Sequence, residues 1–351
     1  MNARGVVVGV VACLAVASCG DSTGAPPDGS TQPFSLPVGS TTWDATAPAW
    51  FHDGTLHVGK RTVELGDRVD EFVLGATGAY WMSGQTLMFT SAEGETQKVE
   101  DVRWGNLAVS ADRSVFATVD QSRGPVDDYG THVIQLAVFD TRTGEQLYRT
   151  PDQEPRKGDD LADLYSEIMP LLYGVSDERA FFAGLTVDLG DGATVSATQD
   201  ADGIDVYDGY ADTLFSDGYH VSIRGEGRHR ELSESTMYGY ARLSPDRSTI
   251  FDVGMWPTPA VVYDAETGRQ RAIKAPWRHF TLVGWSDERT FFGVAERIDE
   301  DNVDGVLRAR QVVSCRLPSL ACTPVSPVIP TEVQHDGEFP TFLVEGSSTM
   351  L

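Results

Sequence analysis

Carboxylates are the commonest reactive groups in this chain, 52 Asp and Glu against 27 Lys and Arg, for a formal charge of -25. Their densest grouping, Asp200, Asp202, Asp205, Asp208 and Asp212, sets hard oxygen donors at the short spacing that Ca²⁺ accepts. Asp299, Asp301 and Asp304 form a second, smaller group. Gly203 and Ile204 stand where a calcium loop wants its next ligand, and no Glu closes either run, so a solvated acidic loop is the cheaper account of both. No cofactor is expected; calcium is the one alternative, with Asp200, Asp202 and Asp205 as its candidate ligands. Paired carboxylates about 5 to 10 Å apart also cleave glycosides. With 52 acids to choose from, spacing singles out no such pair.

Nucleophiles are harder to find. Gly174-Val175-Ser176 and Gly284-Trp285-Ser286 begin like a nucleophile elbow, but each continues Asp-Glu without the Gly that the sharp turn requires. His52, His57, His132, His220, His229, His279 and His335 are scattered, with no pair at the one-turn spacing of a zinc hydrolase. Stacking and charge offer binding rather than catalysis. Of seven tryptophans, Trp256 (in Met255-Trp256-Pro257-Thr258-Pro259) and Trp277 (before Arg278-His279) lie in turn-like contexts and are the candidates for a ligand-stacking surface. Arg224, Arg228, His229 and Arg230 form the one basic cluster, suited to an anionic group or an internal carboxylate.

The first residues set the compartment. Arg4 precedes a nearly unbroken apolar run from Val6 to Ala17, the pattern of a signal peptide. That run is shorter than the roughly 20 residues a membrane-spanning helix needs. Its end, Val16-Ala17-Ser18-Cys19-Gly20, resembles the bacterial lipobox, with Val16 where Leu is usual. The resemblance implies that Cys19 is acylated and becomes the mature N-terminus; an ordinary signal peptide would instead leave Cys19 a free thiol. Two or more acyl chains hold a protein firmly to its membrane. After Cys19 the composition is Gly, Ser, Thr, Pro and Asp, which buries too little apolar surface to fold. We assign 1–18 to the signal peptide, 19–42 to a flexible tether and 43–351 to the folded body. With Cys13 lost in the leader and Cys19 lipidated, Cys315 and Cys322 remain to pair, around Pro318-Ser319, as a hairpin closed by its own disulfide. A zinc site would need two further ligands that no nearby Cys or His supplies.

The elements that must position these groups are repeats. Val109-Ser110-Ala111-Asp112-Arg113, Val175-Ser176-Asp177-Glu178-Arg179, Leu243-Ser244-Pro245-Asp246-Arg247 and Trp285-Ser286-Asp287-Glu288-Arg289 each end an apolar stretch, turn, and lead into another. A second cassette, Val138-Phe139-Asp140-Thr141-Arg142-Thr143-Gly144 and Val262-Tyr263-Asp264-Ala265-Glu266-Thr267-Gly268, reads as a hairpin whose Gly takes positive φ. Weaker echoes begin at His52, Ala76 and Phe215. Together they resemble the WD40-like and related bacterial β-propeller repeats over about residues 45 to 330, although the Gly-His and Trp-Asp pairs of true WD40 blades are missing. The resemblance implies one all-β propeller of about seven four-stranded blades, with six or eight as alternatives. The short first unit, 46–66, predicts that a C-terminal strand completes its sheet and closes the ring. Between Pro151 and Pro170, Asp160 can cap a helix with Leu161, Leu164, Tyr165 and Ile168 on one face, inserted into the propeller.

Charge decides against nucleic acid as a partner and against a membrane-binding surface, so membrane contact should come through the anchor alone. Almost all basic residues are Arg, with Lys only at 60, 98, 157 and 274, a composition that fits a high-GC bacterium such as an actinobacterium. The reading is a monomeric, lipid-anchored, extracytoplasmic propeller that binds an envelope protein or polysaccharide without catalysis. Its rival is a carbohydrate hydrolase or lyase using carboxylates in the channel.

Overall fold

A computed structural model describes residues 35–103, 106–110, 112–167, 172–182, 185–196, 214–216, 220–223, 228–231, 240–244, 248–253, 261–287, 289–299, 306–331 and 342–346. They form an all-β propeller with one short helix, Leu161–Glu167. The described strands group into seven antiparallel sheets, within the expected range of six to eight. Six follow chain order, with Glu71–Leu74, Leu107–Val109, Leu172–Val175, Leu214–Ser216, Tyr240–Leu243 and His279–Asp287 as their first strands. These first strands pack beside one another, Glu71–Leu74 on Leu107–Val109 and the latter on Leu172–Val175, so they line the axis.

The first sheet is the exception that closes the ring. Its strands Ala49–His52, Thr55–Val58 and Arg61–Glu64 lack an innermost member, and Phe342–Val344 supplies it, pairing Trp50 with Val344 and His52 with Phe342. This is the C-terminal closure that the short first unit predicts. An apolar seam of Trp50, Val294, Val312, Ile329 and Phe342 then joins the seventh sheet to the first. Elsewhere the core lies between adjacent sheets. The ring of Tyr80 stacks on Phe116, and Phe116 in turn meets Phe139. Burial of such side chains contributes about 1.5–3 kcal/mol each.

Two expectations need correction. The tether does not run to residue 42: Leu36 is 3% exposed and packs with Tyr80 and Phe139. Its N–H donates to Gly144 O at 2.8 Å. A β-carbon on Gly144, at φ 75°, would sit 2.2 Å from the carbonyl oxygen of Leu36, so the turn glycine also makes room for this strip. An apolar Leu in a polar stretch found a groove that composition does not reveal. The helix begins at Leu161 as expected, with Asp160 accepting from Asp163 N at 3.1 Å. Leu161 and Tyr165 are buried, but Leu164 is exposed, because the docked face is narrower than the apolar stripe. Ile168 lies outside the described residues.

Candidate functional site

Strand direction alternates within every sheet, so each connection has a fixed end of the propeller. We call the end where innermost strands begin the upper end and the end where they finish the lower end. Turns from first to second and from third to fourth strands fall at the lower end; all other connections fall at the upper end.

The repeated cassettes are all lower-end turns, and in three of the four serine cassettes the serine closes the turn, whereas Ser286 Oγ is buried without a hydrogen-bond partner among the described residues. Ser110 Oγ accepts from Val115 N at 2.9 Å, Ser244 Oγ from Thr249 N at 3.0 Å, and Ser176 Oγ from Arg179 N at 2.9 Å. In the second cassette Asp140 Oδ1 accepts from Thr143 N, and Asp264 Oδ1 from Thr267 N, each at 2.8 Å. A third copy at Asp188, closed by Gly192 N donating to Asp188 O at 2.9 Å, lacks the Thr-Gly signature and escapes a sequence search. These serines and aspartates close turns.

Ring closure is also fastened at the lower end. Arg113 is buried and donates to Asp44 O and Ala47 O at 2.8 Å and to Glu345 Oε2 at 2.8 Å. Glu345 Oε1 accepts from Leu74 N at 2.9 Å. One guanidinium thus ties the third sheet to the chain entering the first sheet and to the strand that completes it. The disulfide belongs to the lower end too: Cys315 and Cys322 face each other across the third and fourth strands of the seventh sheet, with S–S 2.04 Å.

The upper end is built differently. In the third sheet, residues 121–134 make a long loop organised by buried Asp127, whose Oδ1 accepts from Tyr129 N and Thr131 N and whose Oδ2 accepts from Leu161 N. Gly158 N reaches Asp128 Oδ2, and Ile134 N donates to the hydroxyl of Tyr165. Loop and helix therefore form one knob. At its surface Tyr129 is 70% exposed, with Val126 and Leu164 also exposed. Beneath the knob, Arg149 bridges Asp120 at 2.5 Å and also reaches Gln135, whose Nε2 donates to Asp152 at 2.7 Å.

Closer to the axis lies Glu71, at the start of its innermost strand and 5% exposed. Its carboxylate accepts from Asn106 N at 3.2 Å and Leu107 N at 3.0 Å, and Asn106 Oδ1 accepts from Leu172 N at 2.7 Å. Three neighbouring innermost strands are linked by this chain of bonds. Burial pushes the Glu71 carboxyl up to about 7, against the opposing pull of the two N–H donors.

The seventh sheet extends furthest at this end. His279, Glu296 and Arg310 stand in one cross-strand row. Arg310 Nε donates to Glu296 at 3.2 Å, and its guanidinium lies 5.4 Å from the Phe342 ring. Trp277, expected to be open for stacking, is only half-buried, and the Arg297 guanidinium sits 5.9 Å over its ring. It also packs against the Phe251, Phe280 and Trp285 cluster.

Several candidates fall outside the described residues: Cys19, Asp200, Asp202, Asp205, Trp256 and Arg224. Among the described residues no group of three or more His, Cys, Asp and Glu converges as a metal site, and no helix is long and apolar enough to cross a membrane. Sequence reasoning missed Tyr129 and Glu71. A DDYG turn reads as any loop, and a glutamate beginning an apolar strand carries no signal of its burial.

No family model matches the chain, and no curated protein sequence matches it. Similar solved structures include a protein described as TolB from Agrobacterium tumefaciens, with 9% identity over 81% of this chain and 89% of that one, TM-score 0.38. TolB from Acinetobacter baumannii is 10% identical over 82% of this chain and 65% of its own, TM-score 0.38. An oligogalacturonate lyase in complex with manganese is 12% identical over 82% of this chain and 97% of its own, TM-score 0.41. Likeness at these levels concerns the fold and says nothing of activity.

Proposed function

We propose that this protein is a lipid-anchored, extracytoplasmic propeller that binds an envelope protein or polysaccharide through its upper end, with no catalytic step. The observation that carries the reading is the division of labour between the two ends. Repeated turn chemistry occupies the lower end, whereas the long unrepeated connection with exposed Tyr129 lies at the upper end. Rigid scaffolds commonly place recognition on such loops, and an exposed aromatic on an ordered loop offers contact area at small entropic cost. The acidic surface favours a partner with cationic character.

The carbohydrate-cleaving alternative gains nothing from Glu71. A carboxyl near 7 at the axis is what a general acid needs, but both of its oxygens are engaged by backbone N–H groups. Calcium at Asp200, Asp202 and Asp205 stays a proposal, which a melting shift on adding chelator would test.

A photo-crosslinking amino acid placed at Tyr129 in cells should yield discrete adducts that the same group placed at Glu266, on a lower-end turn, does not. Adducts from both positions alike, or from Glu266 alone, would remove the basis for assigning recognition to the upper end. Thermal-shift measurements with envelope polysaccharide then separate the two partner classes, since a ligand at 100 times its Kd raises stability by about 2.7 kcal/mol.

A further inference from the structure

The strip that enters the propeller crosses only its lower end. Leu36 N is held by Gly144 O at 2.8 Å, at a third-to-fourth-strand turn of the third sheet. Tyr80 donates its hydroxyl to Pro37 O at 2.9 Å. Gly39 N donates to Thr77 Oγ1 at 3.0 Å, at a first-to-second-strand turn, and Ser40 Oγ to Glu93 at 2.8 Å, at a third-to-fourth-strand turn. The chain continues to Asp44 and Ala47, whose carbonyls are clamped by Arg113. From Leu36 to Ala47 every one of these attachments is to the lower end.

We infer that the propeller stands with its lower end toward the anchoring bilayer and presents its upper end outward. This inference rests on the lipid-anchored reading above. Fifteen residues separate Cys19 from Ser35, sixteen steps along the chain, and whatever their conformation they span at most about 55 Å. Laying the upper end on the bilayer would take the chain from the Gly144 turn, which already lies between the two outer strands of the third sheet, along the full depth of strands of 4 and 6 residues and their loops, a path on the order of 30 Å that consumes more than half of the reach. Standing on the lower end requires no such extension. The consequence for recognition is specific: Tyr129 and its loop meet a protein or polysaccharide on the side away from the anchoring bilayer, and not a component lying flat in that bilayer.

The test uses the full lipidated chain in phosphatidylcholine–phosphatidylglycerol vesicles that carry an energy-transfer acceptor on the headgroups. One donor dye is attached through Glu266→Cys at the lower end, or through Asp128→Cys at the upper end; both positions are exposed. Transfer from position 266 should exceed that from 128 several-fold. Equal or reversed efficiencies, in protein that floats with the vesicles, overturn the orientation while leaving the anchor intact. If a Cys19→Ser variant expressed in cells fractionates with membranes as the parent does, the lipid-anchored reading itself fails, and the orientation fails with it.

Discussion

Two glutamates near opposite ends of the propeller, half-buried Glu345 and buried Glu71, are accommodated in different ways. At the lower end Glu345 faces Arg113, a cation that also satisfies the carbonyls of Asp44 and Ala47. At the upper end Glu71 has two backbone N–H donors and, among the described residues, no cation, and burial raises its carboxyl to about 7. The first is a charge matched by a charge, which fixes one arrangement. The second is a carboxyl whose ionised form the fold tolerates with difficulty near neutral pH. The contrast is between these two carboxylates and not between whole ends, since the upper end also holds a matched pair, Arg149 with Asp120 beneath the knob.

The largest expected effect comes from breaking the matched pair. Arg113→Met leaves the half-buried Glu345 without its cation and two carbonyls without their donor, and should lower stability by about 3–5 kcal/mol. Urea unfolding measures it, and a loss below about 1 kcal/mol would mean that the ring is closed elsewhere. Glu71→Gln probes the other end through pH. Because the folded carboxyl titrates at about 7 rather than 4.5, its contribution is fully present below pH 4.5 and is lost as pH rises through 7. The parent should therefore lose stability relative to Glu71→Gln between about pH 5 and pH 8, by up to about 3 kcal/mol. Parallel pH–stability curves for the two proteins would show that Glu71 does not titrate in this range.

Reducing the Cys315–Cys322 bridge, which closes a loop of sequence separation 7, should cost about 2.5 kcal/mol. That loss would be read as a lower midpoint in reductant, with Cys315→Ser/Cys322→Ser unresponsive. The smallest effect on stability should come from Tyr129→Ala, within about 0.5 kcal/mol because the side chain is exposed. A substantially larger loss would make the tyrosine part of the scaffold rather than a surface for partners.

Much of the scaffold was legible in the residues. Ser110, Ser176 and Ser244 recur because each first-to-second-strand turn needs an acceptor for the same backbone N–H, and Asp140 and Asp264 recur for a similar reason. The echo at His52 is instructive in the other direction. It marks a hairpin at the upper end, since the innermost strand of that sheet arrives from residues 342–344. The site was far less legible. Trp277, singled out by its turn-like context, is half-buried beside Arg297, whereas the unremarked Tyr129 stands exposed on a turn closed by the aspartate two positions before it.

By itself the sequence determined the class of fold, the turn chemistry, the pairing of Cys315 with Cys322 and the closure of the ring by a C-terminal strand, because each depends on short-range spacing or on a count of strands that must be completed. Only the tertiary structure decided that Leu36 is docked, that Arg113 meets Glu345 and that Glu71 is sealed against Asn106 and Leu107. Those contacts join residues as far as 232 positions apart. Their energies depend on burial and on which neighbour arrives, quantities that no local pattern along the chain records.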